Sequence, residues 1–349
     1  MRHNPTIIDI ARELGISKST VSRALAGHEG VSQKTRKAVQ DMAAAMRYKP
    51  NYMARNLTKS RTRTVGVVVP EFVNSFFPRI IIQIQNVFEQ EGYRVLITQC
   101  DESWEVERRN LKLLEDNMVE GILISVAVKG KNTAYYEELV RKGIPLVFFN
   151  RTDSAIDASS VTIDDYKWAF FATEHLIYTR QRLGQTTPRI AHFRGPMNVD
   201  LSNARYRGYA DAMAKHRLNT DPSLVVPSRD FTKEEGFRQM SALIDKGFVP
   251  DALFCFNDQL AIGAMRSLLV NGIRVPQQVS VMGFSESQSA LVTVPALSSV
   301  AQPLEDIGKT AARLLLDKIE NPDSKSVKKV LNASLNIRGS SDPDRNPLL

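Results

Sequence analysis

Hydroxyl and basic side chains alternate over two short stretches near the N-terminus, a combination suited to binding a polyanion. Residues 15–23 read Gly-Ile-Ser-Lys-Ser-Thr-Val-Ser-Arg, and residues 31–36 read Val-Ser-Gln-Lys-Thr-Arg. Hydroxyl and guanidinium groups bind phosphate oxygens, and a lysine can also donate to guanine O6 and N7 in the major groove. Lys18 is therefore a candidate for a base contact. The candidates for phosphate contacts are Ser17, Thr20, Ser32, Thr35 and Arg36.

The charge distribution favours the same chemistry. The chain has 349 residues and a net charge of +8, but residues 1–64 alone carry 13 Lys or Arg and only four acidic residues. A basic segment on a nearly neutral body indicates that a polyanion binds the segment alone. We therefore predict nucleic acid as its partner, and we expect double-stranded DNA.

Three helices would position these side chains. Thr6 and Asp9 form a capping box before a first amphipathic helix, Ser17 caps a second helix that runs from Lys18 to about Ala26, and Ser32 caps a third. A turn of only a few residues between the first two is typical of a helix-turn-helix, whose second helix lies in the major groove. A protein-binding helical bundle is the alternative. The second helix is expected to direct outward Lys18, Ser19, Ser22 and Arg23.

From Thr64 onward, short apolar strands alternate with amphipathic helices. This alternation predicts parallel sheets, which bind ligands beyond the carboxyl ends of their strands. The body is long enough for two lobes joined by several crossings. The strand candidates are Thr64–Val69, Arg94–Thr98, Gly121–Val126, Pro145–Phe149, Val161–Ile163, Arg189–Phe193, Ala252–Phe256 and Val279–Phe284.

Motifs along nearly the whole chain resemble the lactose/galactose repressor family. They are the two N-terminal stretches above, Tyr48-Lys49-Pro50-Asn51, Arg205-Tyr206-Arg207-Gly208-Tyr209, residues 256–264, Val281-Met282-Gly283-Phe284 and residues 298–303. The resemblance implies an N-terminal all-α helix-turn-helix head and an α/β, periplasmic-binding-protein-like core of two doubly wound lobes. It also implies a hinge helix that folds on DNA, with Leu57 wedging a base step in the minor groove and Ala54 allowing close approach.

The resemblance also sets the expected contacts and domain boundaries. We expect a head at residues 1–49, a hinge at 50–63, a core at 64–338 and a flexible tail at 339–349. Lobe 1 would comprise about 64–163 and 292–322, and lobe 2 about 164–291 and 323–338. The full set of predicted DNA contacts is Thr6, Ser17, Lys18, Ser19, Thr20, Ser22, Arg23, Ser32, Thr35, Arg36, Tyr48, Asn51, Ala54 and Leu57.

A small-molecule effector would bind between the lobes. Ser285 stands where the family usually has an aspartate, which favours a sugar or sugar derivative that is phosphorylated or acidic. A neutral sugar with Glu286 in the place of the aspartate, and a purine or nucleoside, are the alternatives. For Phe77 and Phe231 the alternative is core packing, for Arg205 it is an interlobe salt bridge, and Asp258 is expected to cap its own helix. The implied effector contacts are Phe76, Phe77, Asn150, Arg205, Phe231, Asn257, Ser285 and Gln302.

The sequence thus predicts a ligand-controlled transcriptional regulator, expected to be a repressor, that binds a palindromic operator as a homodimer. The tail has two prolines and no leucine heptad, so we expect no tetramer. The alternatives are a solute-binding protein and a sugar or nucleotide enzyme. The chain has no phosphate-binding Gly-rich loop of the GxxxxGK type and its five histidines are scattered, so we predict no enzyme, catalytic residue, metal or cofactor.

The protein is expected in the cytoplasm and away from membranes. Its apolar runs are too short to span a bilayer, and its N-terminus lacks the apolar core of a signal peptide. The two cysteines, Cys100 and Cys255, lie far apart in apolar stretches, as expected for core residues in a reducing compartment.

Overall fold

A computed structural model of the protein describes residues 5–48 and 62–345. The chain divides between Thr62 and Arg63 into two units, a helical head and an α/β core. The head comprises three helices, α1 Ile7–Glu13, α2 Lys18–Leu25 and α3 Gln33–Ala45. They pack around a small apolar cluster of their own that includes Ile10, Val21, Ala24 and Val39.

The helix caps predicted from the sequence are present in the head. Thr6 and Asp9 form the capping box, in which the Thr6 backbone N–H donates to Asp9 Oδ2 at 2.8 Å. The hydroxyls of Ser17 and Ser32 each accept from a backbone N–H three residues later, at 3.1 Å. These local bonds satisfy amides that a helix leaves free at its start, so the sequence itself determines where α2 and α3 begin.

Lobe 1 of the core is a six-stranded parallel sheet with helices on both faces. Its strands are β1 Thr64–Val69, β2 Arg94–Gln99, β3 Ile122–Ile124, β4 Leu146–Phe149, β5 Ser159–Ile163 and β11 Lys328–Leu331, in the spatial order β11-β5-β4-β3-β1-β2. Its helices are α4 Phe76–Gln90, α5 Trp104–Asp116, α6 Thr133–Arg141 and α12 Leu304–Glu320.

Alternating side chains of β1 show how this sheet is covered. Val65, Val67 and Val69 join a cluster with residues of α4 and α12, whereas Val68 joins a second cluster with residues of α5 and α6. Burial on both faces accounts for the nearly continuous apolar run of the strand.

Lobe 2 is a second six-stranded sheet with one antiparallel edge strand. Its strands are β6 Ile190–Arg194, β7 Val225–Pro227, β8 Ala252–Cys255, β9 Ser280–Phe284, β10 Ser298–Ala301 and β12 Ser334–Asn336, in the order β12-β10-β9-β8-β6-β7. Only β12 pairs antiparallel, with β10. Its helices are α7 Asp165–Arg182, α8 Asp200–Lys215, α9 Lys233–Asp245, α10 Asp258–Val270 and the short α11 Gln288–Leu291.

Two segments lie in the other lobe from the one that the sequence predicted. β10 was expected in lobe 1 but pairs with β9 of lobe 2, and β11 was expected in lobe 2 but pairs with β5 of lobe 1. The physical reason is that the chain crosses between the lobes three times, after β5, after β10 and after β11. The second crossing places α12, but not β10, in lobe 1.

The prediction of a flexible tail from residue 339 is wrong for residues 339–345. Ser340 and Ser341 are completely buried. The backbone N–H of Val281 donates to the Ser340 carbonyl at 2.7 Å, and the Ser340 N–H donates to the carbonyl of Ala296 at 3.0 Å. These hydrogen bonds attach the segment to the lobe 2 sheet. We call residues 339–345 the strap.

Candidate functional site

The exposed face of α2 carries the candidate base-reading side chains. Lys18, Ser19, Ser22 and Arg23 are exposed, as predicted, while Val21 is completely buried. The helix is held against α3 by its apolar face, so its polar residues are displayed as one rigid row. Such a row can enter a major groove and meet base edges.

The hydroxyls proposed for phosphate contacts are arranged in two cap pairs. Ser17 Oγ lies 2.8 Å from Thr20 Oγ1, and Ser32 Oγ lies 2.8 Å from Thr35 Oγ1. Each pair sits at the start of a helix, where free backbone N–H groups also favour anions. The caps thus bring hydroxyls and helix N-termini together at the surface of the head.

Three of the residues predicted to contact DNA make contacts within the head itself. Arg36 donates to the carbonyl of His28 at 3.0 Å, so its guanidinium ties α3 to the loop after α2. Tyr48 packs against the apolar cluster of the head, and the Thr6 hydroxyl donates to Asp9 at 2.7 Å. Asn51, Ala54 and Leu57 lie outside the described residues.

A cleft lies between the two lobes of the core, at the carboxyl ends of their parallel strands. It has about 630 Å³ of empty volume, including its opening to solvent. The side chains that line it come from both lobes. All eight residues predicted to contact an effector are among them: Phe76, Phe77, Asn150, Arg205, Phe231, Asn257, Ser285 and Gln302.

The two phenylalanines that begin α4 differ in their exposure. Phe77 is only 2% exposed and packs edge-on against Phe149 of β4, with ring centroids 6.3 Å apart. Phe76 is partly buried and lies edge-on to Phe77, 5.0 Å away. Phe77 therefore has mainly a core role, and Phe76 offers the more accessible ring.

Arg205 is buried in an ion pair within lobe 2. Its Nε and Nη2 lie 2.8 and 2.7 Å from Asp165 Oδ1, and its Nη1 donates to the carbonyl of Phe256 at 2.5 Å. The interlobe salt bridge considered for it is therefore wrong, because Asp165 belongs to the same lobe. Burial raises the pKa of the Asp165 carboxyl, and the charge of Arg205 opposes that shift.

Asn257, not Asp258, caps α10. The Asn257 side-chain oxygen accepts from the Leu260 N–H at 2.9 Å, which corrects the expectation that Asp258 caps its own helix. The Asp258 carboxylate instead accepts from Ser287 N–H at 2.5 Å and from Ser299 Oγ at 2.6 Å. It thereby holds the loop after β9 against the start of α10.

That loop contains the residue that replaces the family's usual aspartate. Ser285 Oγ accepts from Gln302 Nε2 at 3.2 Å, which leaves Gln302 Oε1 buried without a hydrogen-bond partner. Ser285 has a φ of 110°, in a region that favours glycine, and such strain is concentrated at functional sites. Glu286 is ion-paired with Arg338, so its carboxylate does not take the place of the absent aspartate as a free acceptor.

Two charged cleft residues were not predicted from the sequence. Glu71 lies in the loop after β1, and Arg151 follows β4 next to the predicted Asn150. Arg151 forms a bidentate ion pair with Glu102, with N–O distances of 2.6 and 2.9 Å. Both residues follow strands of lobe 1. Their position at the ends of predicted strands could have identified them as cleft residues from the sequence.

Metal and membrane sites are not found within residues 5–48 and 62–345. No group of three or more His, Cys, Asp or Glu residues there could hold a metal ion. In the same described ranges, no helix is both long and apolar enough to cross a bilayer.

Two family models match separate parts of the chain. A model for bacterial regulatory proteins of the lacI family matches residues 6–51, and a model for a periplasmic binding protein-like domain matches residues 181–341. The first covers the head helices, and the second covers most of lobe 2.

Relatives with known roles match over nearly the full length. The HTH-type transcriptional repressor CytR of Escherichia coli (strain K12) is 32% identical over 335 residues, 96% of each protein. Catabolite control protein A of Priestia megaterium is 31% identical over 314 residues, 89% of this chain and 92% of that protein. One of these relatives is thus a transcriptional repressor and the other a catabolite control protein.

Solved structures share both the head and the core. The lac repressor dimer bound to operator and the anti-inducer ONPF superposes with a TM-score of 0.84 at 25% identity, over 97% of this chain and 100% of that one. A complex of the transcriptional regulator CelR with cellobiose superposes with a TM-score of 0.72 at 30% identity, over 96% and 99%. A helix-turn-helix head, a two-lobed ligand-binding core and these full-length relatives together show that the chain belongs to the LacI family of bacterial regulatory proteins.

Proposed function

We propose that this protein is a homodimeric repressor whose binding to a palindromic operator is controlled by a neutral sugar or sugar derivative in the interlobe cleft. The observation that carries the proposal is the cleft itself, because residues from both lobes converge on it. A ligand that contacts both lobes has different affinities for their open and closed arrangements, and this difference is what allosteric control requires.

The proposal that the head reads DNA rests on α2. Its exposed Lys18, Ser19, Ser22 and Arg23 would meet base edges and nearby phosphates, while the cap hydroxyls of Ser17 and others would meet the backbone. A dimer would present two such helices to two half-sites, which accounts for a palindromic operator.

The charges of the cleft favour a neutral effector over the acidic one that Ser285 first indicated. Two cations line it among the described residues, and both Arg151 and Arg205 are ion-paired within the chain. Three carboxyl groups, of Glu71, Asp258 and Glu286, line it as well. An anionic ligand would have to compete for a guanidinium and approach these carboxyl groups, whereas hydroxyl groups could donate to acceptors such as Gln302 Oε1.

Titration calorimetry with matched pairs tests this proposal. D-Ribose with ribose 5-phosphate, cellobiose with its phosphate, and a set of nucleosides would be titrated into the full-length protein. We expect a neutral compound to bind and its phosphate ester to bind at least tenfold more weakly. Gln302→Leu should weaken that binding, and Lys246→Ala, on the surface of lobe 2, serves as the control. Binding of the phosphate ester alone would contradict a neutral effector, and binding of a nucleoside alone would replace the sugar.

A further inference from the structure

One aromatic contact joins the two lobes across the cleft. Arg151 follows β4 in lobe 1, and Phe231 precedes α9 in lobe 2, yet the guanidinium carbon lies 5.5 Å from the centroid of the phenyl ring. Both side chains line the cleft. The contact therefore spans the space that an effector would occupy.

Each partner of this contact is held firmly within its own lobe. Glu102 pairs with both terminal nitrogens of Arg151, whose side chain is 11% exposed. The Phe231 carbonyl accepts from Asn257 Nδ2 at 3.1 Å, and the Phe231 ring packs against Phe256 with centroids 5.2 Å apart. A planar guanidinium in a fork-to-fork pair keeps its orientation, which a lysine at the same place would not.

An ion pair also joins the two lobes, but its side chains are more exposed than Arg151. Lys129 Nζ lies 2.5 Å from Asp200 Oδ2, but the two side chains are 41% and 51% exposed. Salt and water weaken such a pair, whereas a cation–π contact strengthens as its members are desolvated. The Arg151–Phe231 contact is thus the better placed of the two to set the separation of the lobes at the cleft.

We propose that Arg151 is a positioning residue of the effector cleft: anchored by Glu102 in lobe 1, it holds Phe231 of lobe 2 and so sets the width of the space available to the effector's ring. The inference rests on the proposed function, because it assigns a regulatory role to the same cleft. An effector that contacts Phe231 shares that ring with Arg151, so the strength of this contact enters directly into its affinity.

Hydrogen exchange of the full-length protein without added compounds tests the coupling. Arg151→Met, Phe231→Leu and the double variant would be compared with the wild type at two segments, residues 99–106 of lobe 1 and residues 228–236 of lobe 2. We expect each single substitution to accelerate exchange in both segments, by about 2- to 30-fold for the loss of one cation–π contact. The double variant should exchange no faster than the faster single variant, because both remove the same contact.

Two controls separate this role from a general loss of stability. Arg189→Met removes a guanidinium that lies 4.7 Å from Phe248, a similar contact within lobe 2 and away from the cleft lining, and it should leave residues 99–106 unchanged. Phe231→Leu keeps the Arg151–Glu102 ion pair. It therefore tests the coupling between the lobes even if Arg151→Met unfolds. The inference would be overturned if exchange accelerated only in the substituted lobe. It would also be overturned if the acceleration in the double variant equalled the product of the accelerations in the two single variants.

The same variants distinguish this inference from the proposed function. In Phe231→Leu the affinity for D-ribose or cellobiose, whichever the wild type binds, should fall by at least threefold, whereas the control Arg189→Met should leave both that affinity and the operator affinity without added compounds unchanged. A wild type that binds neither compound nor operator would remove the proposed function, and the exchange coupling would then stand or fall by itself.

Discussion

At the scale of single residues, Lys18 separates base reading from phosphate binding. It is the first residue of α2 and is exposed. If it donates to a guanine, Lys18→Ala should lower discrimination at one base pair of each half-site by about 1–3 kcal/mol, whereas loss of a phosphate contact would weaken all sequences alike. Fluorescence anisotropy measures the difference on an operator selected from genomic DNA and on its point variants. The control Lys246→Ala, on the surface of lobe 2, should leave the affinity for the operator and for each point variant unchanged.

Asp258 should give the stability of the core a distinctive pH dependence. Burial raises the pKa of its carboxyl from 3.8 to about 6, although hydrogen bonds from Ser299 and Ser287 oppose the shift. Because the folded state holds this proton more tightly than the unfolded chain, the contribution to stability is complete below the unfolded pKa and is lost as the pH rises through about 6. Relative to Asp258→Asn, the wild type should therefore lose up to about 3 kcal/mol between about pH 4 and about pH 7. Urea unfolding across this range measures it, and a constant difference would contradict the assignment.

Single residues also show which parts of the site a sequence can reveal. The caps at Ser17 and Ser32 depend on bonds to residues three positions away, so the local pattern predicts them. The partners of Arg205 and Arg151 lie 40 and 49 residues away, on other elements. No local pattern brings such residues together, and the family resemblance placed Arg205 in the cleft without indicating Asp165.

At the scale of elements, the strap stabilises lobe 2 through hydroxyl groups rather than apolar side chains. Ser340 Oγ accepts from the Ser298 N–H at 2.8 Å and donates to the Val281 carbonyl at 2.7 Å. Ser340→Ala leaves both groups buried without this partner and should lower the free energy of unfolding by about 1–3 kcal/mol. Asp344→Ala, which removes an exposed ion pair with Arg182, should change it by less than about 0.5 kcal/mol. Equal urea midpoints for the two variants would show that the Ser340 hydroxyl does not stabilise lobe 2.

The strap also explains why its structure was not predicted. Residues 339–345 contain glycine, serines and a proline and have no apolar periodicity, which is the usual pattern of a loop. Their order comes from backbone and hydroxyl bonds to β9 and β10, which are distant in sequence. The misplaced β10 and β11 have the same origin, because strand patterns do not specify which sheet a strand joins.

At the scale of the whole molecule, the edge strand β2 of lobe 1 exposes apolar side chains to solvent. Leu96 and Ile97 are 39% and 37% exposed, and Ile82 of the adjacent α4 is 51% exposed. An exposed apolar edge favours pairing with another chain. We therefore expect light scattering at micromolar concentration to show a dimer, and Leu96→Glu with Ile97→Glu to shift it to a monomer. Val330→Glu on the opposite edge is the matched control, and a wild-type tetramer would contradict the prediction.

The central claim is that a small molecule in the cleft controls sequence-specific DNA binding by the head. The most direct test is selection of binding sites from genomic DNA with the full-length protein, followed by anisotropy on the best site in the presence of the sugars, sugar phosphates and nucleosides. We predict a palindrome whose affinity one neutral sugar changes at least tenfold, and the sign of the change shows whether the compound releases or tightens the complex. Equal affinity for the selected site and random DNA, or no response to any compound, would contradict the claim.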